Sequence, residues 1–327
     1  MENQDQIFEN RIDLSAVTQA VDDIRSQITQ IVFGQEDVID LILIGLLSDG
    51  HVLVEGVPGV AKTMLTKIMG KVLNLSFKRI QFTPDLMPSD VLGTSIFNPK
   101  TLDFEYKPGP VFGNIVLVDE INRAPAKTQA ALFELMEERQ ITIDGNTYPM
   151  ETPFIVLATQ NPIEQEGTYR LPEAQLDRFL FKVNVGYPTV DEELLMLKKF
   201  NYDRQVDVMN AVKPILDIAV LQELRQVVRK VIIDENVLRY ITLLIQATRI
   251  SRMLELGASP RASIALMLAS KAKAALAGRD FVTPEDVKIV AKPTLRHRII
   301  LTPDAEMEGV NADDVLDGIF SKVEIPR

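Results

Sequence analysis

One loop constrains this chain more than any other feature. His51–Glu55 reads as a β-strand and runs into Gly56-Val57-Pro58-Gly59-Val60-Ala61-Lys62-Thr63, which opens an amphipathic helix beginning Lys62-Thr63-Met64-Leu65. Strand, glycine-rich loop and helix together turn free backbone N–H groups and the positive end of a helix dipole toward one point, a natural place for phosphate. Lys62 adds a fixed positive charge, and the Thr63 hydroxyl suits a Mg²⁺ ion carried with the phosphates of a nucleotide. The candidate nucleotide-binding residues are therefore Gly56, Val57, Pro58, Gly59, Val60, Ala61, Lys62, Thr63 and Met64. Ala61 stands where a glycine usually precedes the lysine, and alanine fits there if the backbone is already helical. A Gly/Pro turn that ends in Lys-Thr by accident is the plain alternative.

The chain around the loop supplies the sheet that such a loop needs. Five short β-rich runs, His51–Glu55, Phe77–Phe82, Ile115–Val118, Phe154–Thr159 and Phe179–Val185, alternate with helical stretches. Their mostly apolar character suits a buried parallel sheet with helices on both faces. Ahead of them, Val17, Val21, Ile24, Ile28 and Ile31 recur at helical spacing. After Gly186-Tyr187-Pro188 the strand pattern stops and the remainder reads as helices, among them Asp191–Phe200, Leu216–Val231, Val237–Ile250 and Ala262–Ala277. Thr283-Pro284-Glu285-Asp286 combines a capping hydroxyl, a first-turn proline and acids at the positive end of a helix. The expected fold class is α/β: a core over residues 1–188 with a five-stranded parallel sheet, then a smaller all-helical lid domain over 189–327.

Composition narrows the setting. The 327 residues are 46% hydrophobic and 25% charged, ordinary for a folded chain, and contain no cysteine for disulfides or thiolate metal sites. The apolar run Leu41–Leu47 falls far short of the roughly 20 residues of a membrane span. Met1–Asn10 is polar and acidic, unlike a secretory leader, so a cytoplasmic location is expected. The net charge of −11 disfavours nucleic acid as the main partner, and the richest basic run, Arg296-His297-Arg298, is short. His51 and His297 are too few and too far apart for a metal centre and read as structural.

Further residues bear on chemistry. Ile115-Val116-Leu117-Val118 carries Asp119 and Glu120 to the end of a buried strand, where two carboxylates are costly unless a cation meets them. Asp119 suits Mg²⁺, through water, and Glu120 suits polarising an attacking water; a solvated strand end is the alternative. Phe154–Thr159 leads through Gln160 to Asn161, a neutral amide able to orient a phosphate or water, although Asn161-Pro162 is also an ordinary turn. Arg178 precedes the last strand, and Arg261 follows Gly257-Ala258-Ser259-Pro260 at a helix start. Guanidinium groups spread charge over a transferring phosphoryl group, but a lone arginine is more often one half of a surface ion pair.

Taken in order, these residues make the chain resemble an AAA+ ATPase over nearly its whole length. Gly56–Thr63 matches the Walker A loop, Asp119-Glu120 the Walker B pair, Asn161 sensor 1, Arg178 the arginine finger and Arg261 sensor 2. Ile31-Val32-Phe33-Gly34-Gln35-Glu36 resembles the segment that cradles adenine, which assigns Val32, Phe33 and Gly34 to the base. The alanine-bearing phosphate loop, the run Glu166–Phe179, Ser259-Pro260-Arg261-Ala262 and Leu295–Arg298 resemble the MoxR group in particular. Thr94–Phe97 with Asp103–Lys107, and Gln140–Pro153 around Asp144-Gly145, read as two hairpins inserted in the core; in related rings such hairpins face the pore or a partner.

The resemblance implies an αβα core, ATP and Mg²⁺ as cofactors, metal contacts from Thr63 and Asp119, and catalytic roles for Glu120, Asn161, Arg178 and Arg261. It also implies a ring-shaped homo-oligomer, a hexamer, that remodels, assembles or helps insert metal into a client enzyme complex alongside a von Willebrand A-domain protein. A nucleotide-gated scaffold with little turnover is a second reading, opposed by the presence of both Glu120 and Arg178. A nucleic-acid motor is a third, opposed by the acidic balance.

Overall fold

The structure is a computed structural model that describes residues 12–56, 62–161, 168–202 and 212–326. The chain divides into two compact units, one of Ile24–Ile42 with Asp49–Ile218, the other of Met1–Asp23, Leu43–Ser48 and Ala219–Arg327. The first elements among the described residues are two helices, α1 (Ser15–Thr29) and α2 (Glu36–Leu47). Of the predicted stripe, Val17, Val21, Ile24 and Ile28 lie on α1 and are buried, whereas Ile31 falls just past the end of the helix and is half-buried. Arg25 grips Asp40 with a two-pronged ion pair, Nε to Oδ1 at 2.8 Å and Nη2 to Oδ2 at 2.9 Å, which fixes the start of α2 against the end of α1.

The first unit follows as β1 (His51–Gly56), α3 (Lys62–Val72), β2 (Phe77–Gln81), α4 (Pro88–Leu92), β3 (Gly93–Asn98), β4 (Asp103–Pro108), β5 (Ile115–Asp119), α5 (Ala126–Glu138), β6 (Gln140–Ile143), β7 (Asn146–Pro149), β8 (Ile155–Gln160), α6 (Glu173–Leu176), β9 (Phe179–Val185) and α7 (Val190–Tyr202). Its main sheet has the order β2-β5-β8-β1-β9, every pair parallel, as expected from the apolar runs. The interior strands β5, β8 and β1 carry the most continuous apolar sequence. β2 lies at the sheet edge, which is why its Lys78, Arg79 and Gln81 are tolerated on a strand. Phe82, Phe133, Phe154 and Phe179 fill the core, with the Phe133 and Phe179 rings meeting edge to face at 5.9 Å. His51 is a structural bridge: its Nδ1 accepts from the Val156 amide at 2.9 Å, leaving Nε2 to donate to the Met136 carbonyl at 3.3 Å.

Two hairpins leave this core. In β3–β4, Phe97 and Phe104 stack edge to face at 5.4 Å yet remain exposed, together with Ile96 and Leu102. In β6–β7 the turn is Asp144-Gly145, both at positive φ, as the Asp-Gly pair predicts.

The second unit is built from α8 (Ile218–Lys230), α9 (Glu235–Ile250), β10 (Leu254–Leu256), α10 (Pro260–Leu276), α11 (Pro284–Leu295), β11 (Ile300–Leu301), α12 (Pro303–Met307) and α13 (Ala312–Phe320). The small buried residues Ala262, Ala269 and Ala272 of α10 allow close packing on Val287, Val290 and Ala291 of α11. The antiparallel pair β10–β11 interrupts the otherwise helical character; two or three residues are too few to leave a period in the sequence. Arg296-His297-Arg298 serves the fold, with His297 and Arg298 buried and Arg296 paired to Asp313 at 2.9 Å.

Candidate functional site

Three neighbouring strands deliver the candidate residues to one edge of the sheet. Val54 lies beside Thr159 and Glu55 beside Gln160, while Val118 lies beside Ala158, so the carboxyl ends of β1, β8 and β5 are level. Gly56, Asn161 and Asp119-Glu120 therefore share the edge where open α/β sheets bind ligands. Val57, Pro58, Gly59, Val60 and Ala61 lie outside the described residues, as do the side chains of Lys62 and Thr63. The expected strand and helix on either side of them are present as β1 and α3. Met64, one residue further along α3, is exposed. Gly56 has a steric reason to be glycine, because a Cβ there would sit 2.6 Å from the Val185 carbonyl oxygen of β9.

Asp119 is 5% exposed, and its charge is met from two sides: the Arg79 Nε donates to Oδ2 at 2.6 Å and the Thr159 hydroxyl to Oδ1 at 3.3 Å. Glu120 sits in the left-handed region at φ 57° and ψ 53°, where a side chain of this size costs on the order of 1–2 kcal/mol. Its backbone is held there by its N–H donating to the Thr159 hydroxyl at 3.0 Å and its carbonyl accepting from Arg123 N–H at 2.8 Å. Its carboxylate accepts from the Gln81 amide at 2.8 Å and pairs with Arg123 Nε at 3.1 Å. The kink throws the two carboxylates apart, one anchored in the sheet and one presented beyond it. Asn161 is 7% exposed at the end of β8.

Among the described residues no group of three acidic or histidine side chains forms a metal cage. A single buried carboxylate with a threonine in the phosphate loop instead fits Mg²⁺, which keeps water and takes phosphate oxygens as ligands rather than an all-protein shell. The adenine-segment candidates lie between α1 and α2: Val32 is buried, Phe33 half-buried, and Gly34 has φ +68°. The positive φ favours glycine there; a Cβ would also meet the Glu192 carboxyl group, a flexible side-chain end that could turn aside.

The arginines are placed differently. Arg178 stands just before β9, whose Phe179 pairs with His51 and whose Val185 pairs with Gly56. It therefore lies at the opposite edge of the sheet from the loop of its own chain. A six-residue strand spans roughly 17 Å at about 3.3 Å per residue. Its guanidinium pairs with Glu137 of α5 at 2.7 Å and donates to the Ala174 carbonyl at 3.1 Å. Arg170 is strongly exposed and reaches Glu173 at 2.9 Å. Arg261 is exposed on the first turn of α10, directly after Pro260. Sequence reasoning missed Arg79, Gln81, Arg123 and Thr159. Arg79 and Gln81 alternate on an edge strand, and Thr159 precedes Gln160 and Asn161; these were the available signals.

Comparison with known proteins bears on the whole arrangement. Residues 51–181 match the model of the ATPase family associated with various cellular activities (AAA), and residues 246–319 match the AAA lid domain. The chain is 50% identical over 299 residues to the uncharacterised protein YeaC of Bacillus subtilis (strain 168), covering 91% of this chain and 92% of YeaC. It is 43% identical over 310 residues to Chaperone MoxR1 of Mycobacterium tuberculosis (strain ATCC 25618 / H37Rv), covering 92% of this chain and 81% of that one. The crystal structure of a candidate ATPase from Cytophaga hutchinsonii superposes with a TM-score of 0.88 at 43% identity, covering 96% of this chain and 97% of its own.

Proposed function

Because the chain belongs to the MoxR family of AAA ATPases, we propose that it works as a closed ring, a hexamer, which couples hydrolysis of Mg²⁺-bound ATP to remodelling a partner complex in the cytoplasm. ATPase activity and nucleotide binding come with the family; the ring, the metal and the partner are our reading. Within it, Gly56–Thr63 wraps the phosphates, Val32, Phe33 and Gly34 receive the base, and Met64 borders the pocket. Thr63 and Asp119 would hold Mg²⁺, which when bound neutralises charge on the phosphate oxygens. Glu120 takes a proton from the attacking water as it adds to the γ-phosphorus, and the bond to the leaving ADP breaks in line. Asn161 orients that water without adding charge. Arg261 is the proposed sensor 2, in a lid domain that we place at residues 189–327 after a core of residues 1–188. MoxR1 bears the name chaperone, in keeping with remodelling of a partner; the client in our reading is an enzyme awaiting assembly or metal insertion, alongside a von Willebrand A-domain protein. The exposed Phe97, Leu102 and Phe104 of the β3–β4 hairpin are the proposed point of contact.

The observation that carries this reading is that Arg178 lies at the far edge of the sheet from its own phosphate loop. From there it serves a neighbour's nucleotide. An Arg178→Ala chain keeps a sound pocket and loses its finger; a Lys62→Ala chain keeps its finger and loses its pocket. Each alone is expected to be nearly inactive, since such fingers contribute on the order of 10³-fold in rate or more. Mixed, they form some interfaces with both parts intact, and ATPase activity returns in part. Arg261→Ala mixed with Lys62→Ala stays low if Arg261 acts on the nucleotide of its own chain, and recovers if it acts on a neighbour's. Co-assembly without recovery in the first mixture would remove Arg178 from the role and leave Arg170 as the next residue to test.

A further inference from the structure

Gln129 of α5 is fully buried, 0% exposed, and takes no part in the chemistry described so far. One end of its amide is surrounded by three carbonyl oxygens, those of Ala124 at 3.1 Å, Ile121 at 3.2 Å and Tyr169 at 3.5 Å, which identifies that end as the NH₂ group. The other end, Oε1, has no hydrogen-bond partner among the described residues. A buried acceptor left unpaired costs about 1–3 kcal/mol. Packing alone would favour a leucine or methionine at such a place, so what the amide joins gives the position its meaning.

Ile121–Arg123 forms the single helical turn that follows Glu120, and Ala124 closes it. Tyr169 belongs to the stretch that leads through Arg170 and α6 to Arg178. The two segments also meet directly: Tyr169 N–H donates to the Asn122 carbonyl at 2.6 Å. Gln129 thus grips both ends of the turn behind Glu120 and the start of the segment ending at Arg178. Glu120 depends on this grip more than most residues would, because its left-handed backbone is maintained only by what surrounds it.

We propose that Gln129 is a positioning residue that locks the turn carrying Glu120 to the loop feeding Arg178, so that one subunit's hydrolytic carboxylate and the finger it lends its neighbour move as a unit. The proposal rests on the reading of Arg178 as a finger that acts on the next subunit. Displacement of the finger loop is transmitted through Tyr169 and the Gln129 amide to Ile121 and Ala124, and from them to Glu120. Gly56, where the proposed phosphate loop begins, ends a different strand, β1, so nucleotide binding is expected to be untouched.

The test is Gln129→Met in the full chain, which keeps the length and removes both donors. The expected result is a kcat lowered between about tenfold and about a hundredfold, as displaced catalytic groups show, with KM for ATP unchanged. A purely structural role would instead lower the melting temperature and leave kcat per nucleotide-binding site at the wild-type value; that outcome overturns the proposal. The link itself is read by mixing. Gln129→Met with Lys62→Ala tests the variant as a pocket donor, and with Arg178→Ala as a finger donor. Both mixtures should recover less activity than Lys62→Ala with Arg178→Ala. Full recovery as finger donor overturns the link. Should the reference mixture itself fail to recover despite co-assembly, the reading of Arg178 as the finger falls, while the kcat and KM measurement still decides whether Gln129 positions Glu120. If Gln129→Met does not fold, Tyr169→Pro deletes the donor to Asn122 from the exposed loop. A loss of kcat at constant KM supports the same junction, and wild-type turnover overturns it.

Discussion

Glu120 combines an unfavourable backbone conformation with the chemistry proposed for it. Its carboxylate is shared between the Gln81 amide and Arg123 Nε, which fix its direction beyond the end of β5. Replacing it with glutamine preserves shape and the loop's phosphate contacts but removes the proton acceptor. Glu120→Gln is therefore expected to bind ATP as the wild type does and to lose between about 10²- and about 10⁴-fold in turnover. Calorimetry together with a phosphate-release assay checks both halves, and an undiminished rate would move the base elsewhere. At this scale the sequence was partly legible. Asp119 and Glu120 stood out because an apolar run ended in two acids. Arg79 and Thr159 did not, because what makes them important is lateral pairing across β2, β5 and β8, a relation between residues about 40 positions apart.

Among the elements, the five strands of the sheet were readable from short β-rich runs bounded by turns, and α1 from its repeating stripe. The β10–β11 pair was not, because so short a ladder is selected by the packing around it rather than by its own sequence. The start of α11 was readable and carries a further consequence. Thr283 and Asp286 cap each other reciprocally, and Asp286 also receives Arg279 at 2.6 and 2.5 Å. Burial pushes the Asp286 carboxyl upward, but the Arg279 guanidinium with the Thr283 amide and hydroxyl outweighs it and holds the carboxyl below the usual range. A group whose pKa is depressed by folding stabilises the fold above its unfolded value and loses that contribution as the pH falls through its folded value. Thermal unfolding followed downward from neutral pH should show this loss in the wild type. Asp286→Asn should lack that part of the pH dependence and be less stable at neutral pH by about 3 kcal/mol, the scale of breaking a buried pair. An unchanged melting temperature for Asp286→Asn at pH 7 would mean that the pair contributes nothing net.

For the whole molecule, the proposed ring makes assembly depend on what the pocket holds. Light scattering on the Glu120→Gln chain should find closed rings with ATP and smaller species with ADP; monomers at micromolar protein in both conditions would count strongly against a ring. The family was legible from sequence because its motifs lie at strand ends in a set order; the resemblance also implied that Arg178 lies away from its own loop, and the pairing of β9 with β1 gives that separation its register. That separation reaches into genetics. In the proposed ring a subunit would hold halves of two different sites, so one defective copy would spoil more than itself. An allele encoding Arg178→Ala, expressed beside the wild type, would leave its own chain able to bind ATP and take a place in the ring, while silencing the pocket next door. Loss of the finger should then behave as a dominant trait, whereas failure to fold at all, which keeps a chain out of the ring, should be recessive.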